Sequence, residues 1–362
     1  MTRQLLEQLC QLSREFGTSP YVHAGGGNVS VKSAGRLWIK PSGMALCEMT
    51  PEGFLEMDRS ALNAIYTAQP PENTHERERV ISGMLMRAVL SNSGGRPSVE
   101  TPLHNLFEAA YVVHTHMTLL NGPACARGGA AACREIFPEA LWVEYVDPGY
   151  TLCMHVREAL RQCAARHGRQ PSVVILKNHG VFVAEETPEA VRDAYSGLKR
   201  TLRARYESQG VSTRLAKRAP VDEETLAEAR ARIRDVFGSA AASIHASPSF
   251  QVAEGPLTPD HIVYAKSFPF VEALTKERAD AFVRRRGYAP RVVETAQAVF
   301  GIGETDPQAR AALALAEDGA LIRQLSQAFG GVEYLDDAAR EFIENWEVET
   351  YRARISLGES AS

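Results

Sequence analysis

Leucines at 5, 6, 9 and 12 recur at the spacing of one helical face, which predicts an amphipathic helix over residues 3–16. The glycines of "YVHAGGGNVSVKSAGRLWIKPSG" break that pattern. "NVSVK" and "RLWIK" flank the turn "SAG" and predict a β-hairpin. "RERVISGMLMRAVL" reads as a helix, and "YVVHTH" as a buried strand that empties into a further helix, "MTLLNGPACA". "LWVEYV" and "SVVILKNHGVFVAE" read as strands, the second broken at "KNHG". "TPEAVRDAYSGLKRTLRARYES" is a long helix whose Thr187 and Glu189 suit its N-terminus.

Periodicity lapses over 208–222, which predicts a boundary between a domain at 1–210 and a C-terminal extension at 223–362. The extension has its own helices in "EETLAEARARIRDVFG", "KERADAFVRRRG", "PQARAALALAEDGALIRQLSQAF" and "AAREFIENWEVETYRA". Two β-prone pieces, "HIVYAKSF" and "RVVETAQAVFGIG", lie between them, so the chain is expected to be α/β throughout.

Composition narrows the function classes. The 362 residues are 44% hydrophobic, enough for a sizeable core and two domains. A formal net charge of -4 argues against a general nucleic-acid binder, while leaving room for a local phosphate cradle. No apolar run approaches the roughly 20 residues a membrane span needs, and "MTRQLLEQLCQLSREF" lacks the apolar core of a signal peptide. Six cysteines without a CxxC pair read as reduced, mostly buried thiols. The expectation is a cytoplasmic protein with no membrane and no nucleic-acid partner.

Candidate chemistry gathers at strand ends. His114 and His116, two apart in a strand, point to the same face and could reach one ion. His179 in "VVILKNHG" also lies where a strand ends, and Gly180 beside it permits a close backbone approach or a positive φ. Three imidazoles and an open position suit zinc or another borderline divalent ion such as Mn2+ or Co2+. The competing reading is three hydrogen-bonded core histidines. Glu100 in "GGRPSVETPLH" is a candidate acid–base group, with an N-terminal helix carboxylate favoured by the helix dipole as its rival reading. "AGGGNVS" and "KPSG" offer backbone amides together with Asn28, Ser30, Lys40, Ser42 and Gly43, which fits either an anion nest or a tight hairpin turn.

Taken together, "GGGNVSVK", "LWIKPSG", "RPSVETPLH", "VVHTHM" and "VVILKNHGVFV" resemble, in order, the class II aldolase/adducin family over roughly residues 5–206. "WVEYVDPGYTL", "LTPDHIVYAKSFPFV" and "IENWEVETYRA" resemble the aldolase portion of bifunctional rhamnulose-phosphate aldolase/lactaldehyde dehydrogenase proteins, without room here for their dehydrogenase half. The resemblance implies a three-layer α/β/α domain with a mixed α/β C-terminal extension. It implies zinc on His114, His116 and His179, with Glu100 as acid–base. Asn28, Ser42, Gly43 and Ser98 fall where the family holds substrate phosphate. Val99 follows Ser98 where some aldolases carry a second hydroxyl, which leaves a non-phosphorylated substrate open.

The implied activity is reversible cleavage of a ketose 1-phosphate by a homotetramer acting on a sugar phosphate or sugar acid. A decarboxylase, an epimerase and a non-catalytic scaffold are the alternatives. A second catalytic acid would be a tyrosine, with Tyr145, Tyr150 and Tyr351 as candidates.

Overall fold

A computed structural model describes residues 2–90, 95–346 and 355–357. The chain divides into two compact units, one of Met1–Leu120 with Ala130–Leu202 and one of Asn121–Gly129 with Arg203–Ser362.

The first part of the chain opens with α1 (Thr2–Phe16) and the hairpin β1 (Asn28–Ser33) and β2 (Arg36–Ile39). The hairpin turns through Ala34 and Gly35, both at positive φ (48° and 77°), the sense that matches the twist of the flanking strands. β3 (Leu55–Asp58), α2 (Arg59–Ile65), α3 (Thr74–Arg87), α4 (Thr101–Leu106), β4 (Tyr111–Thr115), α5 (Thr118–Ala124) and α6 (Gly129–Ile136) follow. Then come β5 (Leu141–Val143), α7 (Tyr150–His167), β6 (Val173–Leu176), β7 (Gly180–Glu185) and α8 (Pro188–Ser208). The helices expected over 3–16, 117–126 and 187–208 are present as α1, α5 and α8, and the expected hairpin as β1 and β2. The short elements β3, α2, α6 and the longer α7 are additions to the sequence-based reading, and β5 is shorter than "LWVEYV".

Seven strands form one sheet in the order β3-β2-β1-β4-β7-β6-β5, antiparallel except for the parallel pair β5 and β6. Alternation along β4 decides what covers each face. Val112 faces a core shared with Leu103 of α4 and Leu152 and Val156 of α7. Tyr111 and Thr115 face the other way, with the Tyr111 hydroxyl donating to Gln8 of α1 and the Thr115 hydroxyl bonded to Tyr195 of α8. Helices therefore cover both faces of the sheet, the three-layer α/β/α arrangement expected.

The second unit carries α9 (Glu223–Phe237), β8 (Ser243–Pro248), α10 (Lys276–Arg286), β9 (Val292–Glu294), β10 (Ala298–Gly303), α11 (Asp306–Leu325) and α12 (Asp337–Glu344). Its three-stranded sheet, in the order β8-β10-β9, packs Val293, Phe300 and Ile302 against Ile233 of α9 and Phe282 of α10. These helices begin on residues that satisfy the first free amides: Asp222, Thr275, Thr305 and Asp336 each accept from an amide three residues on.

"HIVYAKSF" is a correction. Residues 261–265 form a π-turn and not a strand. His261, Ile262, Tyr264 and Ala265 are all buried, and a run buried on every side has no period from which to tell strand from helix. The helix expected to continue through "EVETYRA" is seen as α12 to Glu344, and residues 347–354, Tyr351 among them, lie outside the described residues. No helix among the described residues is long and apolar enough to cross a membrane.

One buried charge in the first unit has a measurable cost. Lys32 on β1 is 7% exposed and donates from Nζ to the His104 carbonyl at 3.0 Å. Burial, reinforced by the nearby Arg59 guanidinium, pushes its ammonium down to about 7. Below that pH Lys32 is charged in both folded and unfolded chains, and the folded state bears the full penalty. As pH rises to the ordinary lysine range, only the unfolded chain still holds the proton and the penalty disappears. Lys32→Met is expected to gain roughly 2–4 kcal/mol below pH 7, after allowing for the lost hydrogen bond. The gain over wild type should shrink steadily towards pH 10 in urea unfolding curves recorded across that range.

Candidate metal centre

Two neighbouring strands and the start of a short helix bring four donors to one point. His114 is on β4, directly opposite Asn28 of β1 on one side and Phe182 of β7 on the other. Its ring stacks on that of Phe182, with centroids 4.1 Å apart and planes 17° from parallel. His116 falls just past the end of β4, so it is the exit of the strand that presents it. His179 sits in the turn between β6 and β7, next to Asn178 at φ 52°.

His116 Nε2 lies 3.0 Å from His114 Nε2. Glu100 Oε1 lies 3.2 Å from His114 Nε2 and 3.4 Å from His179 Nε2. All four donor atoms are within 4.8 Å of one another. A tetrahedral ion with bonds of about 2.0–2.1 Å holds its ligand atoms roughly 3.4 Å apart, so the spacing fits.

The tautomers argue the same way. His114 Nδ1 is 3.0 Å from the Val181 carbonyl, which can only accept, so Nδ1 carries the proton and Nε2 presents its lone pair to the cluster. Two imidazole Nε2 atoms at 3.0 Å repel unless a proton or a cation stands between them. Burial, aided by the nearby His114 and His116, pushes His179 down to about 4, so at neutral pH it too offers a lone pair. The four residues therefore fit a divalent ion of borderline character.

Glu100 occupies the first position before α4, yet its carboxylate makes no cap to that helix. Ser98 supplies the local bond instead, its Oγ accepting from the Glu100 amide at 3.2 Å. Burial alone would raise the Glu100 carboxyl, but the neighbouring His114 and His179 rings outweigh it and hold the group well below the usual carboxylate range.

Gly180 provides the close approach that its position suggests, without a positive φ. A Cβ there would meet the Thr115 carbonyl oxygen at 2.4 Å and His116 Cδ2 at 2.9 Å. The positive φ belongs to Asn178, two residues earlier.

The two glycine- and serine-bearing loops come next to these donors. The Ser42 amide donates to the Arg96 carbonyl at 2.8 Å and Pro41 bridges Pro97, which sets Ser42 and Gly43 beside the segment carrying Ser98. Asn28 is buried beside His114, its Oδ1 accepting from the Val29 amide. Lys40 ties the two loops to each other. Its Nζ is buried and donates to the carbonyls of Met44 (2.9 Å), Pro41 (3.4 Å) and Gly25 (3.5 Å). The Tyr145 hydroxyl donates to Asp147 and that of Tyr150 to the Ala68 carbonyl, and neither tyrosine belongs to the four-donor group.

His104 is a further buried neighbour, for which the sequence favours a structural helix role over a role supporting the donors. One helical turn from Glu100, it pairs Nδ1 with the Ser30 hydroxyl at 2.8 Å and turns its edge to Phe182. The only sequence signal is its spacing of four from Glu100.

Residues 7–206 match the family described as the class II aldolase and adducin N-terminal domain. The uncharacterized oxidoreductase YuxG of Bacillus subtilis (strain 168) is 24% identical over 98% of this chain, and the chain spans 59% of that protein's length. Among solved structures, the chain is similar to the N-terminal class II aldolase domain of a conserved protein from Thermoplasma acidophilum. That likeness has TM-score 0.47 and 21% identity, covering 55% of this chain and 92% of the other. It is also similar to an L-fuculose-1-phosphate aldolase from Thermus thermophilus, with TM-score 0.39 and 19% identity, covering 59% of this chain and all of that one.

Displacing one imidazole from outside the donor set tests the centre. Gly180→Ala, which must push His116 or the Thr115 carbonyl aside, is expected to weaken Zn2+ and Co2+ binding by roughly 10–100-fold, the usual scale for disturbing a ligand's support. Calorimetric titration of metal-free protein reads this, and unchanged affinity would remove His116 from the donor set.

Proposed function

The chain belongs to the class II aldolase and adducin family, and from that premise we propose that it is a metal-dependent aldehyde-lyase. Its reaction is the reversible cleavage of a ketose 1-phosphate, of the rhamnulose 1-phosphate kind, to dihydroxyacetone phosphate and an aldehyde. The observation that carries this reading is the convergence of His114, His116 and His179 with an ionised carboxylate, Glu100, within 4.8 Å.

His114, His116 and His179 would hold the ion, zinc by preference with Mn2+ or Co2+ able to stand in. That ion supplies a Lewis acid that polarises the substrate carbonyl and stabilises the charge developing on its oxygen. Glu100, kept ionised by its histidine neighbours, is the base that removes the carbon-bound proton of dihydroxyacetone phosphate in condensation. In cleavage the same carboxyl returns that proton to carbon.

The Asn28 side-chain amide, the Ser42 hydroxyl, the Gly43 amide and the Ser98 hydroxyl form the phosphate cradle in this reading. Lys40 holds the cradle's two loops together and adds a buried positive charge beneath it. Fixing the phosphate orients the reacting carbons, so binding made far from the scissile bond becomes rate. The acid for the aldehyde oxygen would come from a neighbouring subunit of a homo-oligomer, a tetramer by family habit.

In the same reading the chemistry lies in residues 1–210, with 223–362 as a separate extension. The resemblance to the aldolase portion of two-activity proteins belongs here too, and it is supported by the chain's 59% span of a longer relative named an oxidoreductase. A decarboxylase is the second reading, favoured by Val99 in place of a second hydroxyl after Ser98.

Metal-loaded protein incubated with a panel of ketose 1-phosphates, with released dihydroxyacetone phosphate reduced enzymatically, is expected to turn over. Glu100→Gln should keep its metal and lose roughly 10²–10⁴-fold in kcat. Carbon dioxide from 3-keto sugar acids without dihydroxyacetone phosphate release would transfer the assignment to the decarboxylase. A full complement of metal with neither product would leave a binding protein.

A further inference from the structure

We infer that a small pocket of the first unit, apart from the histidine cluster, is a binding site for a phosphate-type oxyanion. The inference stands on residues outside the proposed active site and does not rest on the aldolase reading. The pocket has a volume of about 340 Å³ and is lined by Arg59, Arg157 and Arg161 with Asn63, Tyr66 and Asn105. That is near the lower limit for ligand pockets, roughly 300 Å³, which suits inorganic phosphate or a compact phosphomonoester better than a nucleotide.

Charge is the first argument. Among the described residues neither Arg59 nor Arg157 has a carboxylate partner, and Arg161 pairs with Glu158 at 2.8 Å. Lys32, whose ammonium is bonded to the His104 carbonyl, lies close enough to Arg59 to be depressed by it. Two half-buried guanidiniums thus line one pocket with no carboxylate bonded to them among the described residues, an arrangement that a dianion would relieve.

Preorganisation is the second. Solvated surface arginines are ordinarily held by water, but here each of these two heads is tethered inside. Arg59 Nε donates to Asn105 Oδ1 at 2.7 Å, which leaves the two Nη groups of its fork for a ligand. Asn105 is in turn fixed, its Nδ2 donating to Asn63 Oδ1 at 2.9 Å and to the Tyr66 hydroxyl at 3.0 Å. Arg157 lies over the Tyr66 ring, 5.5 Å from its centroid, and donates to the Tyr66 carbonyl at 3.4 Å. Burial raises the Tyr66 phenol, which keeps it protonated and donating to the Pro102 carbonyl. Rotamer freedom is already lost before any anion arrives, which favours binding.

Geography makes the two sites separable. The pocket meets α4 at Asn105, and Glu100 precedes the other end of that helix. An anion held by Arg59 or Arg157 can therefore be told from one held by the Ser42 loop by mutating each.

The test titrates the full chain with inorganic phosphate, against sodium chloride of equal ionic strength, and follows the melting temperature. Phosphate is expected to raise the melting temperature beyond the chloride control. Arg59→Gln and Arg157→Gln should each weaken the apparent affinity at least tenfold, and Arg169→Gln, an exposed arginine paired with Glu139 outside the pocket, should leave it within twofold. Should Arg59→Gln or Arg157→Gln fail to fold, the lysine replacements decide, since they keep the charge and lose the planar fork; a threefold or greater weakening is expected. The proposal is overturned by an effect no larger than that of chloride, by an effect that survives in both pocket-arginine variants, by one that Arg169→Gln weakens as much, or by one abolished in Ser42→Ala.

Discussion

Three imidazole lone pairs and one carboxylate, nearly all of them out of solvent, converge where a proton or a cation is needed to hold them. The rest of the first unit follows from keeping that arrangement in place. His114 is locked at Nδ1 by the Val181 carbonyl of the adjacent strand and in plane by the Phe182 ring opposite it. The antiparallel pairing of β4 with β7 thus sets the tautomer as well as the position of the ligand, because the same ladder supplies both the carbonyl and the stacking partner. Gly180 allows β7 to begin against Thr115 with no side chain between them.

Around this cluster, buried lysines organise backbone. Lys40 gathers three carbonyl oxygens and so connects the turn at Gly25 to the loop at Met44. Lys32 does the same for the His104 carbonyl, at a cost in stability that a purely structural residue would avoid. Retaining charge in such places is a departure from what the fold alone would favour, and departures of this kind gather around functional sites.

Legibility differs between the two kinds of element. Long helices with a wet face, such as α1, α8 and α9, announce themselves through leucine and alanine spacing and through caps at Asp222 and Thr187. The π-turn at His261–Ala265 reads as β-prone because its residues are apolar or aromatic and almost all buried, which erases the period. β8, "SIHASP", has too few apolar residues to stand out, and becomes a strand because β10 supplies a full ladder beside it.

The amino-acid sequence by itself determined the family, the hairpin, the main helices and the identity of the four donors, since each depends on residue type and short-range spacing. Distances in the chain say little about distances in space. That the Glu100 carboxylate turns to His114 and His179, that His116 reaches the cluster from beyond the strand, and that Lys40 clasps two loops were decided only by the tertiary structure. The physical reason is that hydrogen-bond partners and burial are properties of the folded neighbourhood. A side chain with several possible partners is assigned to one of them only when the sheet and helices have closed around it.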